Sequence, residues 1–314
     1  MLEPNKIVQP QKLRPGTPQN IGLEAYTYGE SLCSQKVRVA LAEKQLPYVS
    51  HHIYICDVAQ NCQNLSPDYL KINPKGIVPT LVHNGESHFD AHRIIKYLDQ
   101  TFPDHGEKIW PSDPKEAEFA EYWFEHGMLP NQRSEGRNFA SAIATVTLPL
   151  LAHMLRRQPM DHVVERYKKH PLQERGAMFT SLRIGDQTTP PAILDAALDL
   201  IAEGLINIEK QLKDNDGPYV LGDFSIVDIT MMACFHRLED VRLDVVFGHP
   251  SLSALNQYWS RLQQRPSYKT AITDWHDKEN WRSAIDEVFG KAPSQHHELL
   301  KKKIDGISNN ATKH

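Results

Sequence analysis

Cysteine is scarce: four in 314 residues, at positions 33, 56, 62 and 234. No two are spaced C-x-x-C, so neither a dithiol redox motif nor a zinc site has support, and so few cannot form a disulfide scaffold. The chain therefore reads as intracellular and reduced. Neither sign of charge dominates. Thirty-five Lys and Arg against 39 Asp and Glu give a net charge of −4, with no basic block in the body of the chain, which disfavours a nucleic-acid groove. No apolar run approaches the roughly 20 residues that span a bilayer. Met1-Leu2-Glu3-Pro4 also lacks the charged-then-apolar start of a signal segment. The motifs G-x-G-x-x-G, the Walker loop and G-x-S-x-G are absent, as is any internal repeat. His51-His52 and His296-His297 are adjacent pairs without a further ligand pattern, so no metal is expected.

What is present changes character once along the chain. Residues 1–20 hold Pro4, Pro10, Pro15 and Pro18 among polar residues and read as an irregular arm. Over residues 21–101, short apolar runs alternate with helical patterns. Leu23 to Tyr26 predicts a strand and Gln35 to Lys44 a helix with Val37, Ala40 and Leu41 on one face. Tyr48 to Ile55 and Val78 to Val82 predict further strands. His88-Phe89 follows the turn Asn84-Gly85 as a short fourth strand, and Ala91 to Gln100 is helical. This is the pattern of one small α/β domain. The proline-rich stretch 102–114 reads as a linker.

Residues 115–290 read as all helical. Helices are expected over Lys115 to Met128, Ile193 to Leu212, Ile226 to Leu238 and Leu252 to Gln264, the last stopped by Pro266. Arg156 to Pro191 is weakly patterned and reads as one helix plus a mobile connection. Residues 291–314, with Lys301-Lys302-Lys303, read as a solvated polar tail.

Four segments carry possible chemistry. Ser31 to Arg38 follows a strand and opens a helix, where backbone N–H groups are unpaired and partly positive. A ligand thiolate would be stabilised there, and a cysteine such as Cys33 can have its pKa lowered. Equally, Ser31 or Ser34 could simply cap the helix while Cys33 fills space. In Asn73 to Leu81, Pro79 cannot donate to a sheet ladder and suits a strand's start. A cis bond there would turn the Val78 backbone outward, free to pair with a peptide ligand. Asp90 precedes a helix and could cap it or meet a ligand ammonium. Ser225 to Asp228 has capping-box spacing, with Asp in place of the usual Glu or Gln, and reads as structural.

In order and spacing, these segments resemble the glutathione S-transferase superfamily. The resemblance runs through Ser31 to Leu41, Asn73 to Leu81 with Pro79, Asp90 before a helix, and Gly222-Asp223-Phe224-Ser225-Ile226-Val227-Asp228-Ile229. It implies an α/β thioredoxin-like domain followed by an all-α helical domain. Ser31 to Leu41 resembles the corresponding segment of zeta-class maleylacetoacetate isomerases and of tetrachlorohydroquinone reductive dehalogenases. By that likeness, Ser31 falls on the serine facing the glutathione sulfur and Cys33 on the catalytic cysteine. Leu32 departs from the zeta pattern, which has a second serine, and favours the dehalogenase side. Ala91 stands where most members carry serine, leaving only its backbone N–H. One neutral hydrogen bond lost is worth roughly 0.5–1.5 kcal/mol.

The resemblance implies an enzyme that takes glutathione as cofactor and an electrophilic small molecule as partner. Glutathione would be held by Ser31, Val78, Pro79, Asp90 and Ala91. Tyr28, Tyr122, Trp123 and His126 are candidates for the substrate wall, with plain core or subunit contact as their alternative. The implied reaction is transfer to an apolar or aromatic electrophile, including reductive dehalogenation or thioether cleavage. A glutathione-dependent cis-trans isomerase and a non-catalytic binding protein on the same fold remain alternatives. The last is kept open because 165–171 and 236–238 also resemble the ganglioside-induced differentiation-associated branch, whose members are poor conventional transferases. A cytoplasmic homodimer, with no nucleic-acid or membrane partner, completes the expectation.

Overall fold

The computed structural model describes residues 21–55, 62–129, 137–185 and 189–311; the arm expected over 1–20 lies outside the described residues. In chain order, the first elements are β1 (Leu23–Thr27), α1 (Leu32–Glu43), β2 (Val49–His52), α2 (Pro67–Ile72), β3 (Thr80–His83), β4 (Glu86–Phe89) and α3 (Ala91–Thr101). The named elements that follow among the described residues are helices: α4 (Pro114–His126), α5 (Phe139–Arg156), α6 (Met160–Lys168), α7 (Gln173–Ile184), α8 (Pro191–Lys213), α9 (Ile226–Asp240), α10 (Ser253–Gln264), α11 (Pro266–Ala271), α12 (Trp281–Phe289) and α13 (His297–Ala311).

The chain forms two compact units, and neither is continuous in sequence. One takes residues 1–106, 149–188 and 270–284; the other takes 107–148, 189–269 and 285–314. The sheet unit is built on four strands in the order β2-β1-β3-β4. β1 pairs parallel with β2 and antiparallel with β3, which pairs antiparallel with β4. Asn84 and Gly85 join β3 to β4 with φ of 51° and 86°, the two positive angles that a tight hairpin turn needs and that Asn-Gly supplies with little strain. The expected strands are all present: β1 and β4 run longer than expected, β2 is shortened at both ends, and β3 starts two residues later and ends one later.

Helix α1 differs from its one-sided apolar pattern. It is enclosed almost all round, with Lys36 and Arg38 each 1% exposed. Burying such groups is tolerable only with partners. The Nζ of Lys36 lies 3.4 Å from His92 Nε2 on α3. Lys44, just past the helix, donates to Asp99 of α3 at 2.8 Å.

The stretch Arg156 to Pro191 folds as two helices, not one. Val163 and Tyr167 of α6 and Phe179 of α7 form a buried cluster with Leu155 and Cys62, and the Tyr167 and Phe179 rings stack at 4.9 Å. Cys62 is disulfide-bonded, which corrects the fully reduced reading at that residue; Cys33 and Cys234 are not bonded in this way. Helix α5 was not anticipated, and it corrects the reading of short apolar runs. By length and composition its 18 residues could cross a membrane, and 56% of them are buried inside the protein.

The helical unit centres on α9, buried along nearly its whole length. Ser225 and Asp228 close the expected capping box at its start. The supposed tail 291–314 holds α13, whose Leu300 and Ile304 are fully buried. They stand four residues apart on one helix face. Lys303 donates to Asp195 at 2.8 Å and to Asp199 at 2.6 Å, both on α8. The lysine run thus hid an apolar stripe.

Candidate active site

One row of paired residues crosses the sheet: His51 of β2, Tyr26 of β1, Thr80 of β3 and Phe89 of β4. The backbone beyond this row, at one end of the sheet, comprises His52, Thr27 to Ser31, Val78-Pro79 and Asp90. Topology therefore gathers at one edge the segments that the sequence offers as glutathione contacts. β1 and β4 end there, and β3 begins there.

Ser31 caps α1 with extended backbone, φ −67° and ψ 120°, and its Oγ accepts from Ser34 N at 3.3 Å. The hydroxyl proton remains available to a ligand. Ser34 Oγ in turn accepts from Tyr28 N at 3.3 Å, tying the strand's end to the helix. The first turn of α1 carries no acidic residue, so no side chain within it cancels the positive end of the helix. Leu32 is buried, whereas Ser31 and Cys33 are partly exposed.

The Val78–Pro79 peptide is cis. Sequence reasoning missed what anchors the loop before it. Asn73 Nδ2 donates to Ile77 O at 2.8 Å and to Thr80 Oγ1 at 2.9 Å, and Tyr69 Oη donates to Ile77 O at 2.7 Å. Gly76 has φ +62°, and a Cβ there would stand 2.7 Å from the Leu65 side chain. The signal was the Asn-Pro-Lys-Gly turn, whose Asn and Gly have these distinct duties.

Asp90 leaves one carboxylate oxygen unsatisfied among the described residues at this edge. It stands before α3 with φ 74° and makes no side-chain cap. Its Oδ1 is buried with no hydrogen-bond partner in the chain. Burial raises its pKa above the usual carboxylate value, against the pull of the Arg93 charge, the His92 and Arg93 N–H groups and Lys75. Ala91 is buried beside it.

The other flank of the edge is aromatic. Tyr28 is fully buried and donates to Asp277 at 2.8 Å; burial first, and Asp277 second, push its pKa well up. His52 Nε2 accepts from Gly29 N at 3.2 Å. Burial, then the Arg38 charge, lowers its pKa to about 4 against Asp277, so the ring is neutral at pH 7. Trp275 stacks beside His52 at 6.2 Å and lies under the Arg38 guanidinium at 4.7 Å. This return of residues 270–284 is not legible in the sequence, since nothing local in them marks a contact with Tyr28, Arg38 or His52.

Tyr122, Trp123 and His126 stand on α4 in the helical unit. Tyr122 is 43% exposed and stacks on His126 at 3.9 Å. Trp123 is 1% exposed and packs edge-on against Phe139 at 5.2 Å, so it is core in that unit.

Comparison with known proteins agrees with this geometry. Residues 30–101 match the glutathione S-transferase N-terminal domain. The chain is 24% identical over 272 residues to the tetrachloro-p-hydroquinone reductive dehalogenase of Sphingobium chlorophenolicum, covering 83% of this chain and 98% of the relative. It is 25% identical over 288 residues to protein LigF of Sphingobium sp. SYK-6, covering 91% and 99%. The crystal structure of that beta-etherase LigF superposes with a TM-score of 0.67 at 20% identity, over 81% of this chain and 99% of the other. Residues 30–101 thus carry a glutathione S-transferase N-terminal domain, and over four-fifths of its length the chain has the glutathione transferase fold.

Proposed function

We propose that the protein is a glutathione-dependent transferase acting on an electrophilic carbon of an apolar or aromatic substrate, with reductive dehalogenation or thioether cleavage as the outcome. One observation carries the reading. A buried carboxylate oxygen without a partner, Asp90 Oδ1, stands at the same sheet edge as a helix start with no acid in its first turn. Such an edge matches a ligand with a cation at one end and a sulfur anion on its middle residue, as in the tripeptide glutathione. The reading extends to a cytoplasmic homodimer, on family likeness alone.

Glutathione, when bound, supplies the thiol that attacks the electrophile. The chain's part is to ionise and hold it. A thiol near pKa 8.5 is about 3% ionised at pH 7, and lowering it by about two units takes roughly 2.7 kcal/mol. The Ser31 hydroxyl and the α1 N–H groups are the donors for that task. Asp90 would meet the α-ammonium, and the Val78 backbone would pair with the peptide. Cys33, partly exposed on the same helical turn, adds a sulfur on the protein side. Thioether cleavage needs such a group, and simple conjugation does not. The reductive dehalogenase named above is the relative that favours this outcome.

Calorimetric titration with glutathione tests the seat, with Asp90→Asn expected to weaken binding about 10-fold or more, the loss of a charged hydrogen bond. Glutathione consumption by wild type, Ser31→Ala and Cys33→Ala tests the chemistry. If Cys33→Ser leaves all turnover intact, Cys33 has no part. Turnover without glutathione loss identifies an isomerase, and absence of turnover a binding protein.

A further inference from the structure

The residue before the cap of α1 is Glu30, and it is fully buried. With no acid inside the first turn of α1, Glu30 is the acidic side chain next to that helix start in the chain. A buried, unpaired carboxylate there would oppose any anion seated on the helix and would itself be costly. It is paired. Arg282 Nε donates to one Glu30 oxygen at 3.1 Å, and an Arg282 terminal nitrogen donates to the other at 3.1 Å, a two-pronged arrangement. The Asp277 N–H donates to Glu30 Oε1 at 2.8 Å. The pair joins residues 252 apart in sequence.

The turn is held from its other side too. Arg38 donates to Tyr28 O at 3.1 Å, Gly29 O at 2.6 Å and Ala271 O at 2.8 Å. Asp277 is occupied by the Tyr28 hydroxyl and by Asn280. A nitrogen of His276 lies within 4.8 Å of the Glu30 carboxylate. His52 is neutral at pH 7. Charged side chains at this turn include Glu30, Asp277, Arg38 and Arg282.

We infer that Glu30 and Arg282 are positioning residues for the sulfur seat. Their pairing fixes the Tyr28-to-Ser31 turn from the returning segment and cancels a buried acid that would work against a thiolate at the start of α1. The inference deepens the proposed function, on which it rests, by naming what keeps that seat electropositive.

The reporter is Cys33, read without glutathione. The pH dependence of its alkylation by iodoacetamide, assigned by peptide mass, gives the midpoint of its ionisation. Arg282→Gln removes a cation opposite Glu30, and the midpoint should rise by about one unit, the size expected of one charge changed near the helix start in an effective dielectric of about 20. Glu30→Gln leaves Arg282 uncompensated, and the midpoint should fall by a similar amount. The double variant should return close to wild type, and Arg282→Lys, which keeps the charge and loses the fork, should also stay close. Single variants that shift the same way, or not at all, overturn the inference, because a structural role alone cannot produce opposite signs. Thermal melts run alongside; if Arg282→Gln does not fold, the fall in Glu30→Gln and its reversal in the double variant still decide. Wild-type calorimetry with glutathione separates the two claims. A wild type that does not bind sinks the proposed function, while the Cys33 midpoints judge the pair on their own.

Discussion

Two of the serine-capped helices in this protein, α1 and α9, are finished differently. At α9, Ser225 is answered by Asp228, whose carboxylate accepts from Ser225 N, Ser225 Oγ, Val220 N and Tyr258 Oη at 2.7 to 3.2 Å. Every prong has a protein partner, and the group is fully buried. At α1, Ser31 caps with its own oxygen but Ser34 occupies the place of the answering acid, so the helix start keeps its positive character. Asp90 shows the same incompleteness at α3, where the capping position is filled and the cap is not made. A closed start spends its polar groups on the fold; an open one keeps them for a ligand. The contrast separates structural from functional polar residues on geometry alone.

The sharpest break of that contrast is at α9. Asp228→Ala should cost about 4 kcal/mol in denaturant unfolding, since it strands several buried donors at roughly 1–3 kcal/mol each. The glutathione affinity of the folded fraction should be unchanged. A large drop in affinity with little loss of stability would show that the closed start is functional after all.

Next in size is a pH effect at the open edge. The His52 pKa falls to about 4 in the folded protein, against an ordinary value near 6.5. Between these values the unfolded chain binds the proton and the folded one does not, so stability falls as pH drops through that window. The full loss is about 3 kcal/mol, visible as a declining unfolding free energy from pH 6.5 to 4. His52→Gln should flatten this slope while keeping an acceptor for Gly29 N–H. A slope unchanged in the variant would mean that His52 is not the group responsible.

The same contrast explains what was legible in the sequence. Local rules identified the Asn84-Gly85 hairpin, the Ser225 box and the strand-turn-helix at Ser31, because each is set by residues within a few positions. The ordered motifs then carried the family and the fold. Arg282 at Glu30, Asp277 at Tyr28 and Trp275 at Arg38 were invisible, because they join residues far apart and leave no period in either partner. Helix α13 was missed for a different reason. Its buried face is two residues wide, Leu300 and Ile304, and lysines surround it in sequence. For Trp123, substrate wall and plain core were both open, and it packs against Phe139 in the core of the helical unit.

Ser31→Ala then tests whether a serine can cap and bind at once. Its Oγ accepts from Ser34 N at 3.3 Å, and losing a serine cap costs about 1 kcal/mol. Rescue by Ser31→Thr should restore both stability and the ionisation of bound glutathione, followed by thiolate absorbance. Ser31→Gly should restore most of the stability, since glycine is a tolerable cap, and none of the ionisation. Equal restoration of both by glycine would reduce Ser31 to a cap.

The smallest effect is the most diagnostic, because its sign is reversed. Asp90 holds a raised pKa through burial, so at pH 7 its ionised form works against folding in the absence of ligand. Asp90→Asn should therefore stabilise the ligand-free protein by about 0.5 kcal/mol, a modest figure because the group is partly solvated. Adding glutathione should reverse the ranking: wild type gains stability in proportion to its binding, and the variant gains less. The stabilisation should fade as pH falls, where wild-type Asp90 takes up its proton and the difference in charge disappears. Melting curves of both proteins, with and without glutathione at pH 7 and pH 4, give all of these comparisons. Were Asp90 an ordinary cap, the substitution would destabilise the ligand-free protein and the crossing would not occur; a crossing identifies a carboxylate kept open for a ligand at the fold's expense.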